Sequence, residues 1–160
     1  MKILFLAVGI LFLANSCTPV PVPQESEDGQ EMQGSGETPG TSPSEESMII
    51  SVTVGKQVFK ADIEDTETGK AFVAKLPLTL DMSELNGNEK YSYGVSLPKA
   101  DRYYSSIAAG DLMLFSGSCL VLFYGPAGGY SYTRIGRLQS TDGLAAALGK
   151  GSVQVKFGKE

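Results

Sequence analysis

The sequence predicts a mainly β fold, a closed antiparallel β-barrel of about eight strands with two short helices. Three observations point to it. Short runs of β-branched and aromatic residues recur from residue 48 onward, turns containing glycine or asparagine separate many of them, and only two stretches carry apolar residues at helical spacing. Strands linked as hairpins favour a barrel, because closure of the sheet removes its exposed edges.

Four strands are predicted in the first half of this region. Met48–Val54 and Gln57–Ile63 are β-branched, alternate between apolar and polar residues, and are separated by a Gly-Lys pair that is typical of a hairpin. Residues 78–82 and 91–97 form the next two strands, on either side of a turn rich in asparagine and glycine.

Four more strands are predicted in the second half. Residues 98–110 carry proline, aspartate and glycine, so we expect a loop there. Asp111–Phe115 and residues 119–124 are apolar runs separated by Ser-Gly-Ser, which predicts a hairpin. Tyr130–Leu138 is a strand interrupted by a glycine, and residues 152–157 end the fold as an alternating strand.

The two helices are predicted from their spacing and their boundaries. In residues 66–76 apolar side chains recur at helical spacing, a proline follows, and Thr66 or Thr68 is a suitable N-cap. Leu144–Leu148 is a second, short apolar helix that Gly149 terminates.

The N-terminus indicates a secreted and lipid-anchored protein. Lys2 precedes an apolar run at residues 3–14, followed by small and polar residues and then Cys17. A positive end and an apolar core of about 7–15 residues make a secretory signal, too short to span a bilayer. Because a cysteine stands at the cleavage point, the segment resembles the lipobox of bacterial lipoproteins. We therefore expect residues 1–16 to be a lipoprotein signal peptide and Cys17 to carry the lipid, including palmitate.

Composition divides the remaining chain near residue 48. Residues 17–47 hold seven acids, no lysine or arginine and no aromatic residue, and they are rich in Pro, Gly and Ser, which predicts a disordered acidic tether. Residues 48–160 hold eleven acids and twelve bases and have the composition of one folded domain, which we expect to be monomeric. This nearly neutral domain lacks the basic surface that nucleic-acid binding requires.

The residue types that are missing exclude several chemistries. The chain has no histidine, so it contains no Ser-His-Asp triad, no histidine general base and no histidine-rich metal site. With Cys17 lipidated, Cys119 has no disulfide partner, and we expect it to be a small buried apolar residue. We predict no cofactor, no metal and no catalytic residue.

An aromatic and basic strand is the best candidate for a binding site. Tyr130, Tyr132 and Arg134 point to one face of their strand, where stacking and forked hydrogen bonds could hold a planar, acidic or carbonyl-bearing ligand. The alternative is cross-strand aromatic pairing with an arginine laid over it. The candidate ligand-binding residues are Tyr91, Phe115, Phe123, Tyr130, Tyr132, Arg134 and Arg137.

Other polar residues have simpler explanations. We expect Asn86, Asn88 and Glu89 to hold a turn together rather than to contact a ligand. Asp111, at the start of an apolar strand, is expected to be a solvated or turn-capping carboxylate.

Five blocks of this sequence, in this order, resemble the bacterial cyclophilin-like family. They are Leu76-Pro-Leu-Thr-Leu80, Met82-Ser-Glu-Leu-Asn-Gly-Asn-Glu-Lys-Tyr91, Ala109-Gly-Asp-Leu-Met-Leu-Phe115, Cys119-Leu-Val-Leu-Phe-Tyr124 and Tyr130-Ser-Tyr-Thr-Arg-Ile-Gly-Arg137. The resemblance implies a cyclophilin-like barrel of eight strands whose ends are capped by two helices. It carries no assigned reaction, since fold alone does not determine function.

Together these patterns predict a lipid-anchored, extracytoplasmic, cyclophilin-like domain that binds a small molecule or an extended peptide. Its partner is the membrane, through Cys17. The residue two places after Cys17 is Pro19 rather than an aspartate, which favours the outer membrane in a host with two membranes. One alternative is a peptidyl-prolyl isomerase in which Arg134 or Arg137 polarises the proline amide, although the chain lacks the histidine, the tryptophan and the Phe-X-Arg sequence of true cyclophilins. A second is a cell-envelope protein-interaction module without a pocket.

Overall fold

The structure, a computed structural model, describes residues 48–160. This part of the chain forms nine strands and two helices. They are β1 (Met48–Val54), β2 (Gln57–Ile63), α1 (Glu67–Ala74), β3 (Leu78–Leu85), β4 (Glu89–Tyr93), β5 (Arg102–Tyr104), β6 (Asp111–Phe115), β7 (Cys119–Phe123), β8 (Tyr130–Leu138), α2 (Leu144–Leu148) and β9 (Val153–Lys159).

Eight of the strands close into an antiparallel barrel in the order β2-β1-β9-β3-β4-β7-β6-β8. The barrel closes where β2 pairs with β8, with Ala61 opposite Leu138 and Ile63 opposite Gly136. The short β5 pairs with the outer end of β8 and is not part of the closed ring. The predicted fold class, a closed antiparallel barrel of about eight strands with two helices, is confirmed.

Two predicted segments differ from the structure in their type of secondary structure, and β3 is longer than the predicted strand at residues 78–82, since it continues to Leu85. Residues 98–110 contain β5 as well as loop, because Arg102 and Tyr104 pair with Tyr132 and Tyr130. Residues 94–97 are not strand, since Gly94 turns the chain with φ 95°. The alternating apolar residues of that stretch are nevertheless buried in the core, and their amides donate to carbonyl oxygens of the β6–β7 turn.

The two helices lie at opposite ends of the barrel, because they lead into β3 and β9, which are antiparallel neighbours. Thr66 caps α1 by accepting a hydrogen bond from the amide of Gly69 at 3.0 Å. Phe72 of α1 is fully buried and packs edge-on against Phe157 of β9, with ring centroids 5.5 Å apart. Neither helix of residues 48–160 has the length and apolarity needed to cross a bilayer.

A buried lysine fixes the end of the barrel near α2. Lys90 points into the barrel, has no exposed surface, and donates to the carbonyl oxygens of Gly149 at 2.9 Å and Gly151 at 2.6 Å. Its third partner is the carboxylate of Glu84, which also accepts a hydrogen bond from the Tyr124 hydroxyl. Burial raises the pKa of Glu84, but the hydrogen bonds from Lys90 and Tyr124 outweigh this and lower it.

Residues 48–160 form two apolar clusters, one on each side of the sheet. The barrel interior includes Leu120 and Leu122 of β7. A second cluster lies on the outer face and includes Cys119, Val121 and Phe123 of the same strand. Because successive side chains of a strand point to opposite faces, β7 is buried on both sides. The outer cluster forms the floor of the candidate site.

Candidate functional site

A cavity of about 510 Å³ lies on the outer face of the barrel, over β4, β7 and the start of β8. Its volume falls within the roughly 300–1,000 Å³ of typical small-molecule sites. Six aromatic side chains line it: Tyr91, Tyr93, Phe115, Phe123, Tyr130 and Tyr132. We call this the aromatic pocket.

Side chains alternate between the two faces of β4 and β7, and this alternation directs the residues of these strands that line the pocket toward the outer face. Glu89, Tyr91 and Tyr93 are alternate residues of β4, so all three point outward, and Glu89 is the register partner of Phe123 while Tyr91 pairs with Val121. The pocket therefore follows directly from strand register.

Contacts between the rings hold the walls in place. Tyr132 is almost fully buried and touches two phenylalanines, with its ring centroid 5.6 Å from Phe123 in a T-shaped arrangement and 5.5 Å from Phe115. Tyr91 and Tyr93 form a second T-shaped pair at 5.7 Å. Tyr93 and Tyr130 remain 67% and 62% exposed, so the outer wall is accessible to a ligand.

Glu89 brings a carboxyl group into the aromatic pocket. The residue is only 6% exposed, and within residues 48–160 its carboxylate has no hydrogen-bond donor and no cation within salt-bridge distance. Burial raises its pKa, and the negative charge of Glu84 raises it further. Carboxyl groups with raised pKa values in cavities are common at functional sites, which makes Glu89 a candidate binding residue.

Two further acidic groups next to Glu89 are held in their neutral forms. Burial raises the pKa of Tyr132 to about 12, with a contribution from the charge of Glu89. Burial and the charge of Glu89 also raise the pKa of the Cys119 thiol, which a hydrogen bond involving Tyr93 offsets only in part. Cys119 is buried and free, as its strand position predicts, and its high pKa disfavours the nucleophilic thiolate.

Two asparagines of the β3–β4 turn form the polar rim. Asn86 adopts a positive φ of 53°, which a tight turn requires. Asn88 links this turn to the β7–β8 loop, because its Nδ2 donates to Pro126 O at 2.9 Å and its carbonyl accepts from Gly125 N at 3.0 Å. Its Oδ1 is buried without a hydrogen-bond partner among the described residues.

Both candidate arginines lie away from the aromatic pocket. Arg134 Nη2 donates to the buried Oδ2 of Asp111 at 3.2 Å, and Arg137 Nε lies 3.3 Å from Oδ1 of the same carboxylate. The Arg134 guanidinium also lies over the ring of Tyr104, 5.4 Å from its centroid. Asp111 is 1% exposed and caps the turn before β6 by accepting from Ala108 N at 2.9 Å, so it is a turn cap but not a solvated one.

The structure thus brings five of the seven candidate residues together and separates two. Tyr91, Phe115, Phe123, Tyr130 and Tyr132 line the pocket, whereas the expected arginine is absent from its lining. The sequence analysis missed Tyr93, although Tyr93 lies two residues after Tyr91 and so shares its face of the strand. It interpreted Asn86, Asn88 and Glu89 only as residues of a turn. They do hold that turn or begin β4, and all three also line the pocket.

The described part of the chain offers no metal site, since residues 48–160 contain no group of three acidic, cysteine or histidine side chains able to share an ion.

Cys17 and the whole segment 1–47 lie outside the described residues, so the predicted lipidation, signal and tether are not tested by this structure.

Comparison with known proteins agrees with this architecture. The model of the cyclophilin-like family matches residues 52–158, nearly all of the described region. No curated protein matches the chain. Among solved structures, the chain is similar to the solution structure of a hypothetical protein from Archaeoglobus fulgidus, with a TM-score of 0.54 and 16% identity. The match covers 71% of this chain and 95% of the other, and at this identity it shows the fold alone.

Proposed function

Because the chain belongs to the cyclophilin-like family and carries an aromatic pocket on the outer face of its barrel, we propose that it is a lipid-anchored, extracytoplasmic binding domain. The aromatic pocket holds a small molecule or an extended peptide without converting it. The observation that carries this proposal is the convergence of six aromatic side chains and an unpaired carboxyl group on one open cavity.

The chemistry of the walls favours binding over catalysis. Three ionisable groups of the pocket lining have raised pKa values, namely Glu89, Cys119 and Tyr132, so burial works against the charged forms that a nucleophile or a general base needs. Cys119 and Tyr132, which are held in their neutral forms, are able to donate hydrogen bonds. Apolar walls with a few hydrogen-bonding groups are typical of ligand sites.

The isomerase alternative loses support from the positions of its arginines. Polarising a proline amide requires a donor beside the bound substrate, yet Arg134 and Arg137 both contact Asp111 and neither lines the aromatic pocket. An exchange assay with a proline peptide tests this directly. Acceleration that an Arg134→Ala substitution abolishes would contradict the binding proposal.

Binding itself is tested by chemical-shift mapping of the chain with a fragment library. We expect fragments to shift the amides around Tyr91, Phe123 and Tyr132, and a Tyr93→Leu substitution to weaken those shifts. A Val58→Leu substitution is the control, since Val58 is an exposed apolar residue that does not line the aromatic pocket. If fragments leave the pocket unshifted while the intact chain still captures envelope proteins, the interaction-module alternative replaces this proposal.

The proposed anchor rests on the sequence of the first seventeen residues. Each buried methylene of an acyl chain contributes roughly 0.8 kcal/mol, so the two or three chains of a lipoprotein would hold the domain durably at a membrane, the outer one where a host has two. Labelling of cells with palmitate and fractionation test it. We expect a labelled, membrane-bound protein, and loss of both label and membrane association in Cys17→Ser.

A further inference from the structure

The aromatic pocket is rich in electrons and lacks positive charge. Within residues 48–160, the residues that line it include no lysine and no arginine. Glu89 and Asn88 belong to its lining. Among residues 48–160, the Glu89 carboxyl and the buried Oδ1 of Asn88 have no hydrogen-bond donor. The side-chain amide of Asn88 is held in one orientation, because its Nδ2 donates to Pro126 O at 2.9 Å.

Lys90, the lysine next to Glu89 in the sequence, does not pair with it. A strand turns successive side chains to opposite faces, and the Lys90 ammonium group is bound inside the barrel by Glu84 and by the carbonyl oxygens of Gly149 and Gly151. On the outer face, Glu89 is therefore left without a paired cation from residues 48–160. A bound cation would relieve the cost of its ionisation.

The aromatic walls suit the same kind of ligand. Ring faces attract cations electrostatically, and aromatic cages around a carboxylate are a known way to hold alkylated ammonium groups. Tyr93 and Tyr130 stand exposed at the opening, and Tyr132 and Phe123 form the floor. A metal ion fits poorly here, since within residues 48–160 no three acidic, cysteine or histidine side chains meet to share one.

We infer that the ligand of the aromatic pocket carries an organic ammonium group, which pairs with the Glu89 carboxylate while its carbon atoms contact the aromatic rings. This inference rests on the proposed function of the pocket as a binding site and names the chemical class of its ligand. The ammonium group belongs either to a free small molecule or to a lysine side chain of a peptide.

Binding should depend on pH through Glu89, because a cation favours the ionised carboxyl. The pKa of Glu89 is raised in the free protein, so lowering the pH through that value protonates the group and weakens binding. Glu84, whose charge acts on Glu89, is itself paired with Lys90. The other ionisable groups that line the aromatic pocket, among residues 48–160, include no second carboxyl group, no lysine and no arginine. They are Tyr91 and Tyr93 of β4, Cys119 of β7, and Tyr130 and Tyr132 of β8.

The test compares three probes on the intact chain in a sugar-headed detergent, which avoids lipid headgroups that carry ammonium. Choline is the free cation, 3,3-dimethylbutanol is its uncharged isostere, and N-acetyl-lysine amide represents a peptide side chain. We expect choline or the lysine derivative to bind at least about tenfold more tightly than the alcohol, measured by chemical-shift titration of the pocket amides. The preferred probe identifies the source of the ammonium group.

Two variants and a pH series make the result decisive. Glu89→Gln, which keeps shape and removes charge, should weaken ammonium binding about tenfold and abolish its dependence on pH between about 4 and 8. Glu67→Gln, an exposed acid on α1, is the matched control and should change neither. Equal binding of the alcohol and the cations, or unchanged binding in Glu89→Gln, overturns the inference while the pocket remains a binding site. If none of the three probes and no library fragment shifts the pocket, the proposed function fails as well.

Discussion

Arg134 reaches the carboxylate of Asp111 across neighbouring strands, with Nη2 and Oδ2 3.2 Å apart, and this ion pair holds the guanidinium away from the aromatic pocket. Arg137 approaches the other oxygen of the same carboxylate at 3.3 Å. A carboxylate that is 1% exposed and flanked by two arginines is an element of the fold, joining β6 to β8.

Replacement of Asp111 by asparagine should therefore destabilise the domain. The substitution keeps the shape but removes the buried charge that accepts from Arg134 and lies against Arg137. Because both guanidinium groups keep contact with solvent, we expect a cost of about 2 kcal/mol. Urea unfolding of the two proteins measures this difference. Asp142→Asn, at an exposed position outside the described ion pairs, should change stability by less than about 0.5 kcal/mol. An equally small effect at Asp111 would show that the ion pairs do not stabilise the fold.

Lys90→Met should also be strongly destabilising, although methionine is apolar and fits a buried site. The ammonium group binds Glu84 and the carbonyl oxygens of Gly149 and Gly151. Its removal leaves both carbonyl oxygens unpaired and Glu84 without its cation, at an expected cost of about 3 kcal/mol. Chemical denaturation compared with Lys56→Met, at an exposed turn position, gives the measurement. Similar midpoints for both variants would contradict this role of Lys90.

Gly136→Ala should open the barrel at its closing pair. A β-carbon at residue 136 would stand 2.3 Å from the backbone oxygen of Asp62 and 3.0 Å from the α-carbon of Ile63, so the backbone of β2 must shift. We expect a loss of about 3 kcal/mol, detected by thermal or urea unfolding. Gly158→Ala is the control, because its β-carbon would meet no backbone atom and displaces at most the Ser51 hydroxyl, which donates to Gly158 O at 3.3 Å. Wild-type stability of Gly136→Ala would mean that β2 and β8 do not approach this closely.

Glu89→Gln should make the free protein more stable at neutral pH. The pKa of Glu89 is raised in the folded state above 4.5, so its stabilising contribution is complete below that pH and is lost as the pH rises through the folded-state value. Glutamine stays uncharged throughout. The difference in urea midpoint between variant and wild type should therefore appear at about pH 7 and vanish at low pH. A variant that is less stable at about pH 7 would indicate that the fold uses the ionised carboxylate.

Much of the fold could be predicted from the sequence, because alternation and turn residues act locally. The helix cap at Thr66, the strand Tyr130–Leu138 and the helix Leu144–Leu148 are found where the residues indicate. Residues 94–97 show the limit of this reasoning. Their alternating apolar side chains are buried as in a strand, yet the chain there hydrogen-bonds to a turn and forms no ladder.

The candidate site was only partly predictable, since its composition depends on contacts between distant segments. Tyr132 and Arg134 do share a face of β8, but nothing local shows that Asp111 of β6 binds the guanidinium or that Tyr104 of β5 lies beneath it. Glu89 was assigned to a turn because asparagine and glycine precede it. The β3–β4 loop has only three residues, so Glu89 already begins the strand and faces outward.

The two-sided burial of β7 separates two tasks along a single strand. Leu120 and Leu122 fill the barrel, whereas Val121 and Phe123 shape the recess outside it. Selection can therefore alter what the recess accepts by changing every second position, without repacking the interior. Paralogues that share this barrel and bind different ligands would be the natural outcome of this separation between the two faces of β7.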